Sequence, residues 1–407
     1  MLINFKTSNN RSFNQELDFS MVAAHYDDLP KNIVAVPKYN INVLKSAVIY
    51  GANASGKSNL LKAIADGAIF IRTSFREGSE AGRMPFRFNK HFKKNELGET
   101  FYQYGVLIDN SHFEYYFSVN NDRVIEEKLL EYHTQKPITH FHRKFDAKME
   151  NYEWKNFSKF FVGEKESMKN IANRNHKSLF LSICAEGKLP VAEKVFNWFK
   201  DKLIWSIDIN SPGSFNLNLT LDMMYKDEEF RKTILKRLSN ADFIIKELKL
   251  DILGEDEKRP KYQVNSYHSA LDQEGKEYNA EFNFFTEESA GTKRMLGWLG
   301  FWALALDRGW TILVDELGNS MHTLLAKHLV NEFNHINIHN SQLIFSTHDT
   351  NLMTPEIFRR DQIWIVDRDR MGNSTLNSVS DFKVRKGHVI ENSYLQGLYG
   401  GIPYIIE

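Results

Sequence analysis

The sequence predicts an α/β fold with a mostly parallel sheet, and three observations carry that prediction. Short apolar strands alternate with helix-like stretches toward both ends of the chain, the pattern of a sheet with helical crossovers. The strand Ser46-Ala-Val-Ile-Tyr50 runs into the glycine-bearing loop Gly51-Ala-Asn-Ala-Ser-Gly-Lys-Ser58, and Leu60 to Ala65 continues as a helix. A second apolar strand, Thr311-Ile-Leu-Val, ends in the carboxylates Asp315 and Glu316.

The remaining elements follow in order. Leu2 to Phe5 reads as a short strand. Phe101 to Ile108 and His112 to Val119 flank the turn signal Asp109-Asn-Ser, which predicts an antiparallel hairpin. Residues 126–170 hold further strand-like pieces, and Leu179 to Trp205 is mostly helical. Apolar positions 230, 234, 235, 238, 243, 244 and 248 predict an amphipathic helix over Glu228 to Leu250, with a break near Asn240. A helix from about Gly291, the Thr311 strand, a helix from His322 to Phe333, and strands Gln342 to Ser346 and Gln362 to Val366 complete the pattern. The expected division is 1–75 for the first part of a core domain, 76–280 for an antiparallel β subdomain with a helical and mixed insertion, and 281–407 for the rest of the core. There is no repeat and no sustained heptad, so the insertion reads as globular rather than as a coiled-coil arm.

Of the 407 residues, 42% are hydrophobic and 26% charged, enough to bury a real core. Lys+Arg and Asp+Glu both number 52, which removes any global attraction to nucleic acid and leaves only local basic faces. Those faces are Lys90 to Lys94, Arg143-Lys144, Arg174 with His176-Lys177, and Lys383 to Lys386. The single cysteine, Cys184, sits among small and apolar neighbours and reads as a buried small hydrophobe. The start lacks a signal-peptide pattern, and the most apolar helix, Met295 to Leu306, is too short to span a bilayer. The expectation is a soluble cytoplasmic protein without membrane contact.

In the loop 51–58, Gly51 and Gly56 let the backbone curl until consecutive N–H groups face phosphate oxygens. Lys57 brings a point charge to the β- and γ-phosphates, Ser58 offers a hydroxyl to Mg2+, and the helix adds its positive end. Asp315, emerging at the carboxyl edge of a parallel strand, would hold the same Mg2+, and Glu316 would act as general base on water. His348, in Ser346-Thr-His-Asp349 after the next strand, would reach the γ-phosphate. A guanine-reading Asn-Lys-x-Asp is absent, since Asn89-Lys-His-Phe92 lacks the aspartate, which disfavours a GTPase. Asp361, Asp367, Asp369 and Asp381 surround the turn Met371 to Ser374 and read as turn carboxylates rather than a metal cluster.

The loop, with Asn53, Ser55 and Asn59 in fixed places, is similar to that of ABC-type ATPase heads of the SMC and RecF kind. Glu288-Ser-Ala-Gly-Thr-Lys293 occupies the place of the ABC signature; it keeps Ser289 and Gly291 and departs at Glu288 and Ala290. Over nearly its whole length the chain resembles prokaryotic antiphage, abortive-infection ATPases of the RloA and AriA type. That resemblance runs through Phe5-x5-Arg11-Ser-Phe13, Leu179-Phe-Leu-Ser182, Asp315-Glu-Leu317 with Ser320 and His322, and Tyr394-Leu-x-Gly397 with Tyr399-Gly400.

The resemblance implies a P-loop nucleotide hydrolase with a mixed sheet, an antiparallel β subdomain and an insertion. It further implies a homodimer or higher homo-oligomer that sandwiches ATP between residues 51–59 of one copy and Ser289 and Gly291 of another. Leu317-Gly-Asn-Ser320 would cross the dimer axis, with Gly318 and Asn319 replacing the more frequent Asp-Ser. The implied role is an ATP-driven switch controlling a separate effector protein, for which a Toprim-like nuclease is one candidate. The alternative is a nucleic-acid-dependent ATPase in DNA repair or maintenance.

Overall fold

The computed structural model describes residues 1–26, 28–75, 84–92, 94, 96, 98–134, 136–158, 165–206, 215–241, 244–256, 259–318, 321–382 and 389–403. Two compact units are formed, one from residues 1–205, 309–318 and 330–407, the other from 206–308 and 319–329. The helix that follows the loop 51–56 and the strands after it share one hydrophobic core.

In the first unit, β1 (Leu2–Ser8) and β2 (Leu17–Ser20) join β6 (Thr100–Ile108), β7 (Ser111–Val119), β8 (Val124–Tyr132), β9 (Pro137–Asp146) and β10 (Asn151–Lys155). Together they make an antiparallel sheet ordered β10-β9-β8-β7-β6-β1-β2. Asp109 and Asn110 turn the β6–β7 hairpin with φ of 47° and 61°, the left-handed pair that a tight two-residue turn requires. β3 (Ile33–Val36) and β4 (Ile41–Leu44) form a separate ribbon.

A six-stranded sheet supplies the rest of this unit. Its strands are β5 (Ser46–Tyr50), β11 (Leu203–Ser206), β15 (Thr311–Val314), β16 (Gln342–Ser346), β17 (Ile363–Arg368) and β18 (Ser374–Ser378), ordered β11-β15-β16-β5-β17-β18. β15, β16, β5 and β17 run parallel, and β18 returns antiparallel as the hairpin partner of β17. The sheet is therefore mixed. β15, β16 and β5 are buried at every position, which explains their unbroken apolar runs.

The helices of this unit are α1 (Lys57–Thr73), α2 (Lys165–Arg174), α3 (Phe180–Glu186) and α4 (Pro190–Asp201). α1 buries Leu60, Leu61, Ile64, Ala68 and Ile71 in a core that includes Phe5, Tyr104 and Phe117 of the antiparallel sheet and Phe199 of α4. The Leu179-Phe-Leu-Ser182 stretch acquires a physical reason here. Glu127 of β8 is fully buried and accepts the backbone N–H groups of Phe180 and Leu181 at the start of α3, at 2.8 and 2.9 Å. It also accepts the Tyr115 hydroxyl (2.8 Å) and Nε of the buried Arg143 (2.9 Å). A carboxylate at a helix N-terminus with four donors is a satisfied buried charge. Ser182 then donates to the Ile71 carbonyl at 2.6 Å, tying α3 to the end of α1.

The second unit contains α5 (Phe215–Lys226), α6 (Glu228–Asn240), α7 (Ala290–Arg308) and the sheet β12 (Glu247–Asp256), β13 (Arg259–Leu271) and β14 (Glu277–Asn283). α5 and α7 approach closely at Gly297 and Gly300. A β-carbon on Gly297 would lie 3.2 Å from the Leu217 α-carbon, and one on Gly300 would overlap the Thr220 side chain. The helix expected over 228–250, with a break near Asn240, ends at Asn240, and only the part beyond the break is corrected: 247–250 begin β12. Leu248 and Leu250 are buried while their neighbours are exposed, a period of two that competes with the helical period. Residues 165–170, the end of the stretch expected to hold strand-like pieces, lie in the helix α2 instead. The remaining described α-helices are α8 (Thr323–His335) and α9 (Ile390–Leu395). Among the described residues no helix is long and apolar enough to cross a membrane.

Candidate functional site

Parallel strands deliver their carboxyl ends to one sheet edge, and here the sheet order decides what meets there. β16 lies between β5 and β15, pairing Ser346 with Ile49 and Phe345 with Val314. The turn bearing His348 thus follows a strand inserted between the loop strand and the acidic strand, not one outside the pair. Gly51, Asp315 and Ser346 leave the sheet at the same edge.

The loop takes the backbone its glycines permit. Gly51 has φ +154°, Ala54 +60° and Gly56 +120°, and Gly56 caps α1. A side chain on Gly51 would strike the Val366 carbonyl and Ser55; one on Gly56 would strike Ser374 and Ser12. Outer residues hold the loop: Ser374 Oγ donates to the Ser55 carbonyl at 2.5 Å, Arg368 to the Ala54 carbonyl at 3.1 Å, and Asn59 Nδ2 to Ser12 Oγ at 2.9 Å. Asn53 is exposed and Ser55 is buried.

Lys57 Nζ donates to the carbonyls of Gly51 and Ala52, both at 2.9 Å. Burial lowers its pKa, with Asp315 and Glu316 opposing. Ser58 Oγ donates to Asp315 Oδ1 at 3.0 Å, joining the loop directly to the acidic strand. Ser346, not singled out from sequence, completes the contact. Its hydroxyl donates to Asp315 Oδ1 at 2.6 Å and accepts the Glu316 backbone N–H at 2.8 Å. Glu316 takes a left-handed backbone, φ 56°, and the next turn is fixed by Thr347 Oγ1 donating to the Leu317 carbonyl at 2.8 Å. His348 is exposed at this edge, yet its pKa is lowered, first by partial desolvation and then by Lys57, with Glu316 and Asp315 opposing. The signal for Ser346 was its place, one residue beyond the buried apolar run and two before His348.

Ser289 and Gly291 belong to the second unit and are exposed. Ser289 Oγ accepts the Thr292 N–H at 3.0 Å, a helix cap for α7. The departing residue, Glu288, accepts Ser266 Oγ at 2.6 Å and pairs with His268 Nε2 at 2.5 Å, which anchors the turn to β13. Asn319 and Ser320, expected to cross a dimer axis, and the basic run 383–386 lie outside the described residues.

A cavity of about 950 Å³ opens beside the loop, lined by Ser12, Ala54, Asn59, Phe86, Phe88 and Arg368 among others. Of the basic faces, Arg143-Lys144 is removed: Arg143 is buried against Glu127 at 2.6 Å and Lys144 pairs with Glu126 at 2.9 Å. The four aspartates of the C-terminal region serve local acceptor roles. Asp361 pairs with buried Arg359 at 2.8 Å, Asp369 accepts the Met371 and Asn373 N–H groups, Asp381 the Ser378 N–H, and Asp367 the Arg368 N–H. Cys184 is buried, and burial pushes its thiol pKa up.

Among solved structures, the chain is similar to an SMC head bound to the C-winged helix domain of ScpA, with 14% identity over 93% of this chain and 97% of that one, at a TM-score of 0.45. It is also similar to the SMC head domain from Thermotoga maritima, with 11% identity over 94% and 99%, at a TM-score of 0.38. No curated protein matches the sequence. A family match covers residues 46–354, from the strand that feeds the phosphate loop to just beyond His348. The chain belongs to that family, the AAA domain described as putative AbiEii toxin, Type IV TA system.

Proposed function

We propose that the chain binds ATP on residues 51–59 and hydrolyses it to ADP and phosphate, as the switch of a dimeric assembly. One observation carries the reading: Ser58, Asp315, Ser346 and the Glu316 backbone form a continuous hydrogen-bonded set beside Lys57. Ser58 Oγ and Asp315 Oδ1, 3.0 Å apart, are hard oxygen donors of the kind Mg2+ prefers. Mg2+ bound there would neutralise charge on the β- and γ-phosphates.

The protein's own residues account for the remaining chemistry. Lys57 exchanges its two loop carbonyls for phosphate oxygens, and the N–H groups of 51–58 cradle them. Glu316 takes a proton from water as the water oxygen bonds to the γ-phosphorus and the bond to the ADP oxygen breaks. His348, whose pKa desolvation and then Lys57 lower, donates a hydrogen bond to the γ-phosphate. The cavity beside Ala54 and Asn59 offers room for the nucleoside. Ser289 and Gly291, exposed at the start of α7, suit capture of the same ATP from a second copy. The family description, which names a putative AbiEii toxin and a Type IV TA system, is compatible with a role in antiphage abortive infection, and control of a separate effector is the output we propose.

The test is phosphate release from Mg-ATP. Glu316→Gln is expected to lose about 100-fold or more in turnover while still binding ATP. Unchanged turnover would remove Glu316 as the base. Exposed Lys90 and Lys177 line the same cavity and favour, as a second reading, an ATPase dependent on nucleic acid. Salt-sensitive stimulation of turnover by DNA or RNA would select it.

A further inference from the structure

The last described stretch, 389–403, carries the Tyr394-Leu-x-Gly397-x-Tyr399-Gly400 pattern, and no step above uses it. After α9 the backbone passes through left-handed glycines: Gly397 at φ +79°, Gly400 at +72° and Gly401 at +68°. Gly401 lies against the first residue of the phosphate loop. A β-carbon placed on it would sit 3.3 Å from the Gly51 α-carbon, 3.1 Å from the Val366 carbonyl oxygen and 2.6 Å from Ile365 Cγ2. Gly51 meets the same Val366 carbonyl, so two glycines and one carbonyl share a single close contact.

Tyr394 holds this contact together. Its hydroxyl donates to the Gly401 carbonyl at 2.9 Å. Its ring packs 5.9 Å from that of Tyr50, the residue before Gly51. The Tyr50 hydroxyl donates to the carbonyl of Asp349, next to His348, at 3.1 Å. Burial pushes the Tyr394 phenol up to about 12, with the Gly51 backbone N–H opposing. One short segment therefore touches the start of the phosphate loop and, through Tyr50, the His348 turn.

We propose that Tyr394 and Gly401 form a clasp that sets the shape of the phosphate loop, as positioning residues for nucleotide binding. The inference rests on reading 51–59 as the ATP site. A phosphate cradle works by the aim of its N–H groups, and displacement of Gly51 by a few tenths of an ångström re-aims those that follow. The far side of the loop is held by Ser374 and Arg368; the clasp holds its beginning.

The test measures binding of a fluorescent ATP analogue with Mg2+ to the full chain, together with thermal melting. Gly401→Ala presses on Gly51 and is expected to raise Kd about ten-fold or more. Gly397→Ala is the matched comparison, because it carries the same left-handed strain but meets only the end of the Ile402 side chain. Its Tm should fall by a similar amount while Kd stays within about two-fold. Tyr394→Phe keeps the ring and loses the bond to Gly401, with an expected rise in Kd of about five-fold. Equal Kd values for Gly401→Ala and Gly397→Ala, or losses that follow Tm in all three variants, would overturn the clasp. Failure of the unaltered chain to bind the analogue would overturn the ATP reading, and the clasp with it.

Discussion

Ser346 shows how much of the site depends on single side chains. Its hydroxyl orients Asp315 and holds the left-handed turn at Glu316, so Ser346→Ala removes two hydrogen bonds at the proposed reacting edge. About a ten-fold or greater loss of turnover is expected, read as phosphate release, with the fold intact by circular dichroism. The buried Glu127–Arg143 pair makes a different case. Glu127→Ala strands a buried guanidinium and frees two N–H groups of α3, and should cost about 3–5 kcal/mol in urea unfolding. Residues of these two kinds differ in how legible they are. Lys57 and Asp315 stand in patterns whose chemistry is local to a few neighbours in sequence. Arg143 reads as half of a basic surface patch, because its partner is a strand away and nothing in Arg143-Lys144 announces burial.

Elements follow the same rule. The strand before the phosphate loop, the acidic strand and the hairpin at Asp109-Asn110 were legible because each couples a burial pattern to a specific turn. In 228–250 the helix and its break near Asn240 were legible but the strand beyond was not, since the apolar positions fit a helix until Leu248 and Leu250 alternate. The insertion of β16 between β5 and β15 was also beyond a linear reading: strand adjacency is set by the crossovers rather than by sequence order. The antiparallel sheet carries a pH signature. Burial lowers the His112 pKa from 6.5 to about 4, and its ring stacks 4.8 Å from Tyr132. With the folded value below the unfolded one, the unfolded chain binds the proton first, so stability falls as pH drops from 6.5 toward 4. His112→Phe keeps the stacking and removes the titration. Its Tm should decline less across that window than that of the unaltered chain; equal declines would remove His112 as the source.

For the whole molecule, the two compact units divide the proposed chemistry. Lys57, Asp315, Glu316 and His348 stand in one; Ser289 and Gly291 stand in the other. In the proposed assembly each ATP is completed by the second unit of another copy, so nucleotide occupancy and pairing become one equilibrium. The central claim is therefore that ATP drives association. It is tested by the mass in solution, by light scattering, of Glu316→Gln with Mg-ATP, without nucleotide, and with Lys57→Ala added. A dimer or larger closed oligomer that forms only with Mg-ATP and is lost with Lys57→Ala is the predicted result. A constant mass in all three conditions, with ATP bound, would contradict the shared site.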